Sequence, residues 1–251
     1  MGEKMSRSTL DLGNGSEVIY FEKFLPPHQS WDWLKYLDEG IPWTRPTIRV
    51  YGRSLTQPRD TCYVASEGLP ELKYSGYQPV VHLWDEFPPL KDILKAVHEA
   101  LPGSRFNSLL LNRYKDGSDY VAWHSDDEKL YGPTPEIASV SFGREREFLL
   151  KKRPTRSSKV ESPRGRSKDK HSFMLKHGSL LVMKGYTQRD WLHSVPKRAS
   201  ALGVRINLTF RHVQSSGCWT CGHARLTSTL DSGTTKASRD KYLYKSQGSV
   251  S

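Results

Sequence analysis

The sequence predicts a mainly β protein, a barrel or two-sheet jelly roll with buttressing helices. Two observations carry the β core. Short apolar runs of strand period recur from residue 106 to 213, separated by Gly-containing turns. One strongly amphipathic helix precedes them, with Leu90, Ile93, Leu94, Val97 and Leu101 on one face. A third observation sets the scale: 251 residues suit one main domain with tails, long enough to bury a core.

The elements follow in order. Residues 1–16 are polar and read as a disordered N-terminus. Residues 17–105 form an N-terminal extension. Within it, a short helix is expected over Ser30 to Leu37, with Ser30 as its cap and Trp31, Leu34 and Leu37 along one side. The stretch 41–87, rich in β-branched and aromatic residues, Pro and Gly, reads as short strands and turns. Pro88-Pro89 open the amphipathic helix and Pro102-Gly103 stop it. The core, 106–213, begins with a strand at Leu109 to Tyr114 and a Lys115-Asp116-Gly117 turn. Further strands are expected at Ile137 to Phe142, Glu147 to Leu150, His171 to Leu175, Ser179 to Met183 and Val204 to Val213. Residues 214–251, rich in Ser, Thr, Lys and Gly, read as a flexible tail.

Residues 151–170 break the pattern. They carry nine basic residues against Glu161 and Asp169, so +7 of the chain's formal +11 lies there. This is read as a basic insertion between adjacent strands, suited to phosphate contact or nuclear import. The charge as a whole points to an acidic partner, most simply nucleic acid. The three cysteines, Cys62, Cys218 and Cys221, make no disulfide framework and fit a reducing compartment. No apolar stretch approaches the roughly 20 residues of a membrane span, and no secretory signal is seen, so a soluble, intracellular protein is expected; the basic run and a nucleic-acid partner point to the nucleus, and a monomer is expected. Cys218, Cys221 and His223 have zinc-like spacing but lack a fourth ligand.

The candidate chemistry begins at His124-Ser125-Asp126. On an extended chain His124 and Asp126 project the same way, and His193 can join them from another strand. Two imidazoles and one carboxylate occupy one face of a metal and leave the other open, the donor set of a non-haem Fe(II) oxygenase. Zinc is the alternative ion at the same ligands. After His193, the segment Arg205 to Arg211 alternates. Ile206, Leu208 and Phe210 make an apolar face, and Arg205, Asn207, Thr209 and Arg211 a row of polar groups ending in guanidiniums. Guanidinium holds a carboxylate bidentately, so this face suits the distal carboxylate of 2-oxoglutarate, whose 2-oxo acid end reaches the metal. Asn112 and Tyr114 share a strand face that completes such a pocket.

Together these runs resemble the AlkB family of Fe(II)/2-oxoglutarate dioxygenases, and most closely its eukaryotic members that repair alkylated nucleic acid. The likeness covers about residues 50–213. It is carried by Asn112-Arg113-Tyr114-Lys115-Asp116-Gly117, by Trp123-His124-Ser125-Asp126-Asp127-Glu128, by Ile137 to Gly143, by His177 to Met183 and by the Arg205 to Arg211 strand. The resemblance implies a double-stranded β-helix (jelly roll) with buttressing helices, whose N-terminal extension, 17–105, carries a nucleotide-recognition lid. It implies oxidation of an N-methyl group on 1-methyladenine or 3-methylcytosine in DNA, with O2 consumed and formaldehyde, succinate and CO2 released. It implies iron at His124, Asp126 and His193. It places 2-oxoglutarate against Asn112, Tyr114, Arg205, Thr209 and Arg211, with Asn207 in support, and the extruded base against Asp127. Val50-Tyr51-Gly52-Arg53 resembles the base-probing hairpin, with Tyr51 as wedge, and Lys73-Tyr74-Ser75-Gly76 the second lid segment, with Tyr74 lining the base pocket. Lys197-Arg198-Ala199 departs from the three-residue basic cluster of a duplex-preferring relative. RNA demethylation by the same chemistry, hydroxylation of a protein, and non-catalytic nucleic-acid binding are the competing readings.

Overall fold

The computed structural model describes residues 6–50, 52–154 and 169–214. Its centre is an eight-stranded sheet. In spatial order this runs β1 (Arg7–Gly13), β2 (Ser16–Phe21), β12 (Ser179–Gly185), β9 (Ile137–Gly143), β14 (Arg205–Arg211), β7 (Ser108–Tyr114), β5 (Asp60–Ala65) and β6 (Val81–Leu83). A four-stranded sheet, in the order β11 (Lys170–Leu175), β10 (Arg146–Lys152), β13 (Trp191–Val195) and β8 (Val121–His124), makes the second layer. A separate pair, β3 (Thr47–Val50) and β4 (Arg53–Thr56), forms a hairpin. No helix among the described residues is long and apolar enough to cross a membrane.

Period-2 alternation divides the two faces of the large sheet. Leu109 and Leu111 on β7 and Ile206, Leu208 and Phe210 on β14 pack on α1 (Pro27–Gly40) and α2 (Pro88–Ala100), through Trp33, Leu37, Leu90, Ile93 and Val97. The helices thus buttress one face. Tyr114, Ile137, Leu181 and Met183 turn the other way and meet Phe148, Leu150, Leu175 and Trp191 of the smaller sheet. This second core layer holds the sheets together and fixes the walls of the cavity between them.

Two expectations are corrected. Residues 1–16 are not disordered throughout: β1 pairs with β2 from Arg7↔Phe21 to Gly13↔Ser16. Gly13-Asn14-Gly15 makes the connection with positive φ at all three, the signature of a tight hairpin turn. β1 is an edge strand, mostly exposed, held by backbone pairing and by Leu10 and Leu12, which pack on the second core layer; its otherwise polar composition hid it. The short helix is also longer than expected and is not capped by Ser30. It starts at Pro27, whose fixed φ suits the first helical position. Ser30 is buried inside it, donating to the Pro27 carbonyl at 2.8 Å and contacting His177 Nε2 at 2.8 Å. Trp31 faces outward, stacked on His177 at 3.9 Å.

An ion-pair cluster braces the outer side of β7. Asp60 accepts from Arg45 Nε at 2.6 Å and from Arg113 Nη2 at 2.9 Å, and Arg45 continues to Asp119 at 2.8 Å. Arg113 also reaches Asp38 at 3.0 Å and lies 4.9 Å from the centre of the Trp43 ring. Burial raises the Asp60 carboxyl, but the two guanidiniums outweigh it and hold the group below the usual range. Asp60→Ala is expected to destabilise the fold by about 2 kcal/mol, because two partly buried cations each lose one charged hydrogen-bond partner while Arg45 keeps Asp119 and Arg113 keeps Asp38; urea unfolding measures this. The carboxylate's contribution is complete above its unfolded value of about 3.9 and is lost as pH falls through the lower folded value.

Candidate active site

β8 and β13 pair so that His124 stands directly opposite His193. Their ring centres are 4.1 Å apart. Asp126, just past the end of β8, brings Oδ1 to 3.8 Å from His124 Nε2. One ligand atom from each of the three lies within 4.8 Å of the others. The loop is pinned there: the Asp126 N–H donates to Gln188 Oε1 at 2.9 Å, and Arg211 Nη2 donates to Asp126 Oδ2 at 2.7 Å. His124 Nδ1 donates to the Ala122 carbonyl at 2.9 Å, which leaves Nε2 with its lone pair toward Asp126 and His193.

The protonation states suit a metal. Burial, with the facing His124, pushes the His193 imidazole down to about 3, so it is neutral. Burial also lowers His124. Burial opposes the charge of Asp126, but Arg211 and the two imidazoles more than offset it, and the carboxyl is held well below the usual range. Two neutral imidazoles and one ionised carboxylate are the forms that ligate a divalent ion.

Behind the triad, Arg205, Asn207, Thr209 and Arg211 line a cavity of about 490 Å³ together with Asn112 and Tyr114. The register of β14 on β7 sets Arg205 opposite Tyr114 and Asn207 opposite Asn112. Asn207 Nδ2 donates to Ser139 Oγ at 2.7 Å, and Thr209 Oγ1 donates to Asn207 Oδ1 at 2.9 Å. Arg205 is only 1% exposed. Its Nη2 donates to Ser141 Oγ at 3.1 Å and its guanidinium lies 5.1 Å from the Tyr114 ring centre. Its Nε and Nη1, and Nε of Arg211, have no hydrogen-bond partner among the described residues. A buried guanidinium with unpaired N–H groups and no carboxylate is costly unless an anion completes it. The donor set therefore fits a ligand that brings a carboxylate to Arg205 and chelates at the triad, as 2-oxoglutarate does.

The remaining sequence-derived candidates separate. Tyr74 lines the cavity, its hydroxyl meeting the Gln57 side chain at 3.5 Å. Lys73 is exposed and pairs with Glu71 at 3.3 Å, away from the cavity lining. Asp127 is largely exposed and pairs with Arg153 at 2.8 Å. Gly52 has φ +77° beside the start of β4 and Arg53 is exposed. Tyr51, the proposed wedge, lies outside the described residues, as do Cys218, Cys221, His223 and residues 155–168 of the basic segment.

Sequence reasoning missed several lining groups. Arg59 donates from Nε to Asn112 Oδ1 at 2.7 Å. Glu128 sits beside Asp126, its carboxyl raised by burial and then by that neighbouring charge. Tyr131 places its ring 5.4 Å from the Arg211 guanidinium. Gln188 and Arg59 find their partners 62 and 53 residues away, and nothing local announces them.

A jelly roll with two imidazoles, a carboxylate and a buried cationic pocket between its sheets defines a non-haem, 2-oxo-acid-dependent oxygenase. The comparisons agree: the model of the 2OG-Fe(II) oxygenase superfamily matches residues 17–211, and the chain belongs to that family, among its AlkB-like dioxygenases. It is 65% identical over 219 residues to the DNA oxidative demethylase ALKBH2 of Arabidopsis thaliana, covering 83% of this chain and 70% of that protein. It is 38% identical over 199 residues to the alpha-ketoglutarate-dependent dioxygenase alkB homolog 3 of Homo sapiens, covering 79% and 66%. The human DNA oxidative demethylase ALKBH2 is 37% identical over 166 residues, covering 66% and 60%. The chain thus spans between 60% and 70% of the length of these relatives. A solved structure, "The structure of OsALKBH1", aligns with 78% of this chain at 20% identity and a TM-score of 0.49.

Proposed function

We propose that this chain is an oxidative demethylase of alkylated DNA, acting on 1-methyladenine and 3-methylcytosine. The observation that carries the reading is the pairing of the His124, Asp126 and His193 cluster with the unsatisfied Arg205 in one cavity. The 65% identity to a protein named for that activity supports the substrate.

Bound Fe(II) would supply activation of O2 for insertion of one oxygen atom into a methyl C–H bond, the second atom going to 2-oxoglutarate as it becomes succinate and CO2. The chain's own residues do the rest. His124, Asp126 and His193 hold the ion on one side and leave its other side to the cavity. Arg205, braced by Tyr114 and Ser141, takes the distal carboxylate of the cosubstrate, with Thr209 and Asn112 beside it. Arg211 orients Asp126 and adds positive charge where the 2-oxo acid end would lie. The N-hydroxymethyl base formed then loses formaldehyde: the C–N bond breaks with its electron pair returning to the ring nitrogen, and the hydroxyl proton passes to water.

A methyl on the pairing edge is inside a duplex, so the base must be extruded before it can react. In this reading the β3–β4 hairpin with Tyr51, Gly52 and Arg53, and the Lys73-Tyr74 segment, form the lid. Tyr51 is the wedge, Tyr74 walls the base pocket, and Asp127 contacts the base after releasing Arg153. The enzyme works in the nucleus, with the basic run 151–170 as import signal, and as a monomer. Formaldehyde release from matched methylated DNA and RNA oligonucleotides tests the substrate. Faster turnover of DNA is expected; equal or faster turnover of RNA would replace this assignment with RNA demethylation.

A further inference from the structure

The mouth of the cavity carries two aromatic rings, each with a lysine over it. Lys151 Nζ lies 4.3 Å from the centre of the Trp123 ring, and Lys197 Nζ lies 4.7 Å from that of Tyr120. Both residues are among those lining the cavity that ends at the metal-ligand cluster. Trp123 is 40% exposed, unusual for a residue beside a buried site. Tyr120 and Trp123 are three residues apart on or next to β8, the free edge of the smaller sheet, where the pairing with β13 shifts register between Val121 and His124.

The lysines are placed rather than loose. Lys151 is within β10. Lys197 belongs to a segment fixed to the turn before β8: the Arg198 N–H donates to the Gly117 carbonyl at 2.8 Å, and Arg146 Nη2 donates to the Pro196 carbonyl at 2.7 Å. Gly117 permits this approach, since a Cβ there would sit 1.7 Å from the Arg198 carbonyl oxygen. Neither lysine has a carboxylate in ion-pair range among the described residues, whereas the nearby acids Glu147 and Asp127 are paired with Arg198 and Arg153.

We propose that Tyr120 and Trp123, with Lys197 and Lys151, form a stacking platform for the unpaired DNA nucleotides that flank the target base. The ligand chemistry is matched on both counts. A single strand offers base faces, which stack on aromatic rings irrespective of sequence, and phosphates for the ammonium groups. A strand whose base enters the cavity must cross this rim. In a duplex the base faces are already covered by stacking on neighbouring pairs, so the platform selects opened or single-stranded DNA. This inference rests on the DNA-demethylase reading, and it adds the residues that set strand preference.

The test is the anisotropy of a labelled, unmodified single strand of about ten thymidine nucleotides, within the site sizes of such platforms, titrated with the full chain. Trp123→Ala and Tyr120→Ala are each expected to weaken Kd about tenfold, the scale of one base–aromatic stack. Trp123→Phe, which keeps a ring, stays within about threefold of wild type. Lys151→Ala and Lys197→Ala, which leave the rings in place, each reduce the salt slope by about one ion's share. An unchanged Kd in the Tyr120→Ala, Trp123→Ala double variant, or a wild type that does not bind the strand, overturns the platform. Because the strand is unmodified, the outcome does not depend on catalysis. A wild type that binds it but releases no formaldehyde from methylated DNA defeats the demethylase reading instead.

Discussion

His193→Ala is expected to abolish formaldehyde release and to lower Fe(II) affinity by well over 100-fold. Loss of a group that only orients a metal ligand already costs about 10–100-fold, and His193 is one of three ligand-bearing side chains in the cluster. Its imidazole is buried and neutral, stacked at 5.3 Å on Phe148, and makes no hydrogen bond among the described residues. The chain therefore keeps its β13–β8 pairing in the variant, and circular dichroism is expected to match wild type. Metal titration separates the two effects. A variant that still binds Fe(II) tightly would show that the three side chains are not the ligand set.

Arg205→Met is expected to move stability and function in opposite directions. Arg205 is fully buried on β14 with two nitrogens unsatisfied and no carboxylate partner. Replacing a poorly compensated buried charge with an apolar side chain of similar length is commonly neutral or stabilising by about 1–4 kcal/mol. At roughly 2–4 °C per kcal/mol for a chain of this size, the thermal midpoint without cosubstrate is expected to rise by several degrees. The KM for 2-oxoglutarate is expected to rise by about 100-fold or more, since truncating one partner of a buried, hydrogen-bonded charge pair costs about 2–5 kcal/mol. Arg205→Lys does not restore binding, because an ammonium cannot present the guanidinium fork. Unchanged cosubstrate KM in Arg205→Met would place the carboxylate elsewhere. Thermal scans with and without 2-oxoglutarate give both numbers from one protein.

The parts of this site that alternate on strands were legible in the sequence. Arg205 to Arg211 declares two faces, and the structure puts Ile206, Leu208 and Phe210 on the helices and the polar set in the cavity. Asn112 and Tyr114 follow for the same reason, as does the α2 stripe from Leu90 to Val97. What the sequence hid depends on long-range pairing. β1 is held by backbone hydrogen bonds to β2 and by only two core-facing residues, Leu10 and Leu12, too short an apolar period to stand out among polar neighbours. Arg59 and Gln188 look like surface residues until the fold carries them to Asn112 and Asp126. Ser30 has the chemistry of a helix cap, yet Pro27 starts the helix a turn earlier and leaves the hydroxyl to meet His177. Asp127 and Lys73 sit in motifs that suggest substrate contact, and in the structure both are paired with surface neighbours.

The central claim is that one buried cavity couples an iron at His124, Asp126 and His193 to a 2-oxo acid on Arg205 in order to oxidise an N-methyl group on a base. Mass spectrometry of a DNA oligonucleotide carrying one 1-methyladenine tests it most directly. With the wild-type chain, Fe(II), O2 and 2-oxoglutarate, the oligonucleotide is predicted to lose the mass of one methylene unit, with formaldehyde and succinate formed in equal amounts. Omitting 2-oxoglutarate is predicted to stop the loss. An unaltered oligonucleotide, with 2-oxoglutarate still turned over to succinate, would contradict the claim.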